Sequence, residues 1–150
     1  AFMDGRDTAK NIGGKYIEEI LKINDVTFAS MQGRSIGMDR DRRWNKIEHA
    51  YKCFIGQGQI KSISPLDYLK SEYEAGRFDE FIEPILFDKN GAIKSEDSVF
   101  FFNFRPDRAI QITLCLADPK FHEFQVPIKP SYFLCMTPYV QDYVDLPIYY

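Results

Sequence analysis

Arginine dominates the residues whose types and spacing could do chemistry. Three short segments carry it: Asp4-Gly5-Arg6-Asp7, residues 33–44 with Arg34, Asp39, Arg40, Asp41, Arg42 and Arg43, and Asn103-Phe104-Arg105-Pro106-Asp107-Arg108. A guanidinium keeps its charge and offers a planar fork of donors that matches a carboxylate or a phosphate. Arg105 and Arg108 flank Pro106, which stiffens the turn. The pattern predicts Arg108 in the first turn of a helix, whose free N–H groups also favour anions. Between residues 33 and 46, Arg34, Arg40, Arg42, Arg43 and Lys46 stand against Asp39 and Asp41, a locally basic stretch in a chain of net charge -3. The chemistry these residues suit is the gripping of a small anion. The competing reading is a solvated face or a set of structural ion pairs, and Arg42, Arg43 and Lys46 fit it best.

Elements must position these segments. Thr8 is expected to cap a helix over residues 8–24, with Ile12, Tyr16, Ile20 and Ile23 at helical spacing, although Gly13-Gly14 weakens it. Residues 26–30 read as a strand. Trp44, Ile47, Tyr51 and Phe54 form one face of a helix ended by Gly56. Ser64-Pro65-Leu66-Asp67 is a helix start with cap, first-turn proline and box acid, and that helix should end at Gly76. Residues 82–87 are a candidate strand and 88–91 a turn. Residues 98–103 read as a buried strand, 107–118 as a helix and 132–137 as a last strand. Ala1-Phe2-Met3 looks like the end of a buried strand, and the apolar stretch 144–150 suggests excision from something larger. The alternation gives an α/β class: a single compact domain with a mixed sheet flanked by helices. Each arginine segment follows a predicted strand, where open α/β sheets bind ligands.

Other polar and aromatic features have plainer readings. Phe100, Phe101, Phe102 and Phe104 are assigned to the core. His49 and His122 lack a second histidine at ligand spacing and read as surface residues. Glu18-Glu19 is a helix surface and Met38 a gap filler. Neither a phosphate-binding P-loop, a dinucleotide-binding glycine turn, nor a serine nucleophile elbow is visible.

Bulk composition bounds the rest. The chain has 150 residues, 45% hydrophobic, 27% charged and 15% aromatic, which suits one globular domain with a ring-rich core. The negative net charge argues against nucleic acid as a partner. Cys53, Cys115 and Cys135 are scattered and odd in number, which reads as reduced thiols in a cytoplasmic protein. Without a span-length apolar run, a membrane is not an expected partner.

Together the arginine segments resemble the cofactor-independent phosphoglycerate mutases, the metal-dependent type related to alkaline phosphatases. The matching residues are Asp4-Gly5-Arg6-Asp7-Thr8, then Gly33-Arg34 with Met38-Asp39-Arg40-Asp41, Arg43-Trp44 and Ala50-Tyr51, then residues 101–109 around Arg105. Weaker echoes are Asp79-Glu80-Phe81-Ile82, Pro84 and Met136-Thr137. In that family one domain carries two Mn²⁺ ions and a serine nucleophile, and an inserted domain holds phosphoglycerate. The resemblance implies that residues 1–150 are most of the inserted, substrate-binding domain, truncated, with the metal-binding domain absent. It implies substrate binding by Arg6, Asp7, Arg34, Arg40, Arg105 and Arg108, acid/base catalysis by Asp7, and no metal ligand in this chain. The parent's reaction would interconvert 3-phosphoglycerate and 2-phosphoglycerate through a phosphoserine, in glycolysis and gluconeogenesis, and the fragment alone would be inactive. Its partners would be phosphoglycerate and the metal-binding domain of the same polypeptide. A substrate-contacting family histidine would lie before residue 1. Ser35, Ile36 and Gly37 stand where the family usually has two tyrosines and an alanine, and Ile110 where it often has arginine or glutamate. The alternatives are an interaction domain with structural arginine ion pairs, or part of another alkaline-phosphatase-superfamily enzyme.

Overall fold

Helix starts and stops explain the best-defined elements of the computed structural model, which describes residues 1–139 and the backbone of 148–149. In α4 (Pro65–Glu74), Ser64 Oγ accepts the Asp67 N–H at 3.1 Å, Pro65 opens the first turn, and Gly76 ends it at φ +80°. α3 (Trp44–Phe54) buries Ile47, Ala50, Tyr51 and Cys53, and Gly56 follows it at φ +76°. The other helices are α1 (Gly13–Ile20), α2 (Arg34–Gly37) and α5 (Ile110–Ala117). The strands are β1 (Phe2–Met3), β2 (Ser30–Gly33), β3 (Gln59–Ile60), β4 (Ile85–Leu86), β5 (Ser98–Phe101), β6 (Tyr132–Cys135) and β7 (Ile148–Tyr149). Single 3₁₀ turns occupy Asp79–Phe81 and Lys89–Gly91.

The α/β class holds, in two sheets. A mixed four-stranded sheet has the order β1-β2-β4-β3, with β2 antiparallel to β4, and a parallel one has the order β5-β6-β7. One apolar cluster joins α3, α5 and the second sheet through Ile47, Tyr51, Phe101, Ile112, Cys115 and Phe133. The other joins α1, α4 and the first sheet through Met3, Ile17, Met31, Leu69, Ile82 and Ile85. All three cysteines are free and buried. Burial pushes the Cys53 and Cys135 thiols up to about 11. No helix among the described residues is long and apolar enough to cross a membrane.

Several expectations need correction. Thr8 does not cap α1, which begins five residues later. The buried Asp79 carboxylate accepts the Gly13 N–H at 2.8 Å instead, and a side chain at Gly13 would run into Met3 and that carboxylate. The strand expected over 26–30 starts at Ser30, because β1 and β4 offer pairing only to Ser30–Gly33. The strand at 98 stops at Phe101 and alternates in burial. Phe101 is core, but Phe100, Phe102 and Phe104 are exposed, the last two by 77% and 76%. The helix expected at 107 begins at Ile110, because residues 107–109 form a turn in which the Ala109 N–H reaches the Pro106 carbonyl at 2.8 Å. The stretch 144–150 lies outside the described residues, the β7 backbone apart.

Candidate anion site at three strand ends

β1, β2 and β5 all release their chains at one cleft. β1 leads into Asp4 and Asp7, β2 into Arg34 at the start of α2, and β5 into Asn103, Arg105 and Arg108. The cleft holds about 320 Å³, and Phe2, Met38 and Phe104 supply apolar wall.

Close backbone contact sets the turns. Gly5 has φ +63°, and a side chain there would come within 2.7 Å of the Glu80 backbone nitrogen. One at Gly33 would come within 2.6 Å of the Glu80 carbonyl carbon. The Gly33 N–H donates to the Ile82 carbonyl at 2.7 Å. Both charged turns therefore lean on residues 79–82, which Asp79 fixes to α1 through Gly13 and to α4 through the Tyr73 hydroxyl.

A chain of ion pairs crosses the cleft. Arg34 Nη1 donates to Asp4 Oδ1 and, at 2.7 Å, to Asp7 Oδ2. Arg105 Nη1 reaches Asp7 Oδ2 at 3.2 Å while its Nε donates to Asp107 Oδ1 at 2.8 Å. Arg40 Nη1 holds the other Asp107 oxygen at 2.8 Å. Arg6 turns away to Glu80 at 3.6 Å.

Arg108 differs. It is 8% exposed, and among the described residues no carboxylate pairs with it. Its Nη1 donates to the Met38 carbonyl at 3.0 Å. Its Nε, the Arg34 Nε and the Asn103 Nδ2 are buried without a hydrogen-bond partner among the described residues. All three groups are donors on cleft-lining residues. The Arg105 N–H occupies Asn103 Oδ1 at 3.0 Å, which leaves the amide nitrogen as that side chain's spare group.

Electrostatics follow from this wiring. The Arg34 hydrogen bond and charge hold Asp7 below the usual carboxylate range. Burial pushes Asp4 up, but Arg34 and the Asp7 N–H outweigh it and the net direction is down. Arg105 pulls Asp107 down. Burial, then the neighbouring Arg34 and Arg40 charges, lowers the Arg108 pKa from the ordinary arginine value. The cleft thus combines closely paired charges with one buried cation, Arg108, that forms no salt bridge among the described residues and feels Asp107 only at longer range.

Of the residues singled out in the sequence, the cleft gathers Asp7, Arg34, Arg105 and Arg108. Arg40 joins only through Asp107 and lines a neighbouring cavity of about 440 Å³ with Arg42 and Trp44. Arg6 is not a lining residue. Arg43, read from the sequence as part of a solvated face or a set of structural ion pairs, takes the second role and clamps its own loop. Its Nε donates to the buried Asp39 at 2.6 Å and its Nη2 to Asp41 at 2.6 Å. His49 and His122 are exposed and do not line the cleft. The sequence reading missed Asp4, Asn103 and Asp107 as site residues. Their signal was present, since each sits within three residues of an arginine in its segment.

Among the described residues no three His, Cys, Asp or Glu side chains stand where they could hold a metal ion.

The family described as the N-terminus of BPG-independent PGAM matches residues 1–141. The chain belongs to this family. Among curated relatives, the 2,3-bisphosphoglycerate-independent phosphoglycerate mutase of Clostridium novyi is 41% identical over 148 residues, 93% of this chain and 29% of that protein. The namesake enzyme of Listeria welshimeri is 39% identical over 132 residues, 83% of this chain and 26% of that protein. A crystal structure of Leishmania mexicana phosphoglycerate mutase at low cobalt concentration superposes with TM-score 0.80 at 25% identity, covering 89% of this chain and 28% of that one. The chain thus spans less than a third of the length of the mutases it matches.

Proposed function

We propose that this chain is the anion-gripping part of a phosphoglycerate mutase that interconverts 3-phosphoglycerate and 2-phosphoglycerate without a bisphosphoglycerate cofactor. The observation that carries the reading is Arg108, a buried cation without a carboxylate partner among the described residues, beside two further buried donors on Arg34 and Asn103. An anion with several oxygens fits that set, each oxygen accepting more than one N–H. In this reading Arg34, Arg105 and Arg108 bind the carboxylate or phosphate. Arg40 and Arg6 close on it after leaving Asp107 and Glu80.

Asp7 is the proposed acid/base. Held ionised by Arg34, it accepts a hydroxyl proton when the phosphoryl group moves, and returns it in the reverse direction. The phosphoryl-accepting serine and the divalent metals belong to the rest of the polypeptide, and when bound the metals supply charge neutralisation for the phosphoryl group. The arginines keep the freed glycerate from escaping while it turns. The setting is cytoplasmic, in line with three free, buried thiols.

The test is turnover by the longer polypeptide with 3-phosphoglycerate and no bisphosphoglycerate. Formation of 2-phosphoglycerate, lost in the variant Arg108→Met, is expected. Unimpaired turnover by that variant refutes the site.

A further inference from the structure

One short turn stands behind two of the charged segments. The 3₁₀ turn Asp79–Phe81 does not line the cleft, yet the chain leaves both β1 and β2 against its backbone. A side chain at Gly5, two residues before Asp7, would come within 2.8 Å of Asp79 Cβ. One at Gly33, directly before Arg34, would come within 2.8 Å of the Asp79 carbonyl oxygen. Arg6 pairs with Glu80 of the same turn. The place of the turn therefore sets where Arg6, Asp7 and Arg34 start from.

The Asp79 side chain holds the turn. It is 1% exposed, and a buried carboxylate is costly unless hydrogen bonds satisfy it. Two do, and both come from helices. The Gly13 N–H at the start of α1 donates to Oδ2 at 2.8 Å, and the Tyr73 hydroxyl near the end of α4 donates to Oδ1. Burial, then the Asp79 hydrogen bond, raises the Tyr73 pKa, so the hydroxyl keeps the proton it donates. The Tyr73 ring stacks on Phe78, the residue before the turn, at 6.0 Å. The Asp79 N–H adds a third tie, to the Lys10 carbonyl at 3.0 Å. An apolar side chain could fill this space without the desolvation cost, but it would tie the turn to neither helix.

We propose that Asp79 is a positioning residue of the site: through the turn that it ties to α1 and α4, it sets the spacing of Asp7 and Arg34, neither of which it touches. Among the described residues its carboxylate bonds Gly13 and Tyr73, so its influence on the cleft passes through the backbone at Gly5 and Gly33. Arg34 meets Asp7 at 2.7 Å and holds it below the usual carboxylate range. A slack turn lets the two segments drift apart, and a misplacement of about 1 Å is worth on the order of a hundredfold in rate. The effect on turnover rests on the proposed roles of Asp7 and Arg34; the effect on their pairing does not.

The test follows the Asp7 carboxyl through its titration by ¹³C NMR in the longer polypeptide, beside mutase kinetics. Asp79→Ala should bring the Asp7 pKa back up toward the ordinary value of about 3.9. It should also lower kcat and raise KM for 3-phosphoglycerate, with kcat/KM falling roughly 10- to 100-fold. Tyr73→Phe keeps the ring on Phe78 and loses one bond, and should move both readouts the same way by less. Asp79→Asn can still accept from Gly13 and donate to the Tyr73 oxygen, and should return both readouts nearly to wild type. Phe133→Leu, in the other apolar cluster, is the stability control and should lower the melting temperature without moving Asp7 or KM. Asp79→Ala that melts early but leaves Asp7 and KM at their wild-type values makes Asp79 purely structural and overturns the proposal. Should Asp79→Ala not fold, an Asp7 titration unmoved in Tyr73→Phe overturns it. Asp7 shifted in Asp79→Ala while the wild-type polypeptide lacks turnover upholds the positioning role and refutes the mutase reading instead.

Discussion

Arg108→Met in the longer polypeptide should separate stability from anion binding. The change removes one hydrogen bond to the Met38 carbonyl at 3.0 Å, a charge-assisted contact of about 1.5–3 kcal/mol. It also removes a buried guanidinium lowered in pKa by burial and by Arg34 and Arg40, and relief of that desolvation and repulsion is of similar size. The two effects nearly cancel, so unfolding free energy should move by no more than about 1 kcal/mol and the melting temperature by no more than about 4 °C. Binding behaves differently. Losing even one charge-assisted contact to a bound anion costs about 1.5–3 kcal/mol, a roughly 10- to 150-fold weaker Kd for 3-phosphoglycerate. Arg34→Met is the contrast, because it strips Asp4 and Asp7 of their shared cation and should lower the melting temperature clearly further. Calorimetric titration and thermal melting on both variants check this. Arg108→Met melting as low as Arg34→Met, or binding like wild type, would refute the reasoning.

Asp7→Asn should bind phosphoglycerate at least as tightly, since a negative charge leaves the cleft, while mutase turnover falls about a hundredfold or more; a steady-state kcat and KM comparison checks it, and near-normal kcat contradicts the acid/base role. Gly33→Ala forces a side chain toward the Glu80 carbonyl and should destabilise by roughly 2 kcal/mol, read from urea unfolding. Asp4, Asp7, Asp39 and Asp107 all have folded pKa values below their unfolded ones. Their contribution to stability is therefore complete above the unfolded carboxylate value of about 3.9 and is lost as pH falls through the folded values. Unfolding free energy measured from pH 6 downward should hold until about pH 5 and then drop; a steady fall that begins near neutrality would contradict it.

Much of the site could be read from residue types, because the charged turns follow strands and an α/β sheet gathers strand ends. Ser64-Pro65 and the Trp44 face were legible for local reasons: a cap, a proline and a 3.6-residue period act within one helix. The start of α1 was not, because its cap is Asp79, which tertiary contact brings to Gly13. Phe100, Phe102 and Phe104 misled because an apolar run cannot tell a strand buried on both faces from one whose outer face is exposed here. The partners of Arg6 and Arg40 were equally invisible, since Glu80 and Asp107 lie 74 and 67 positions away. The arginines could be picked out in the sequence; their allocation among carboxylates could not.

In the proposed site, the spare Nε donors of Arg34 and Arg108 take up a phosphoglycerate anion. The most direct test is the ¹⁵N spectrum of arginine Nε groups in the longer polypeptide, titrated with 3-phosphoglycerate. The Arg34 and Arg108 Nε signals should move together and saturably, while that of Arg42, which lines the neighbouring cavity, stays in place. Movement of Arg42 with Arg34 and Arg108 unchanged would contradict the account.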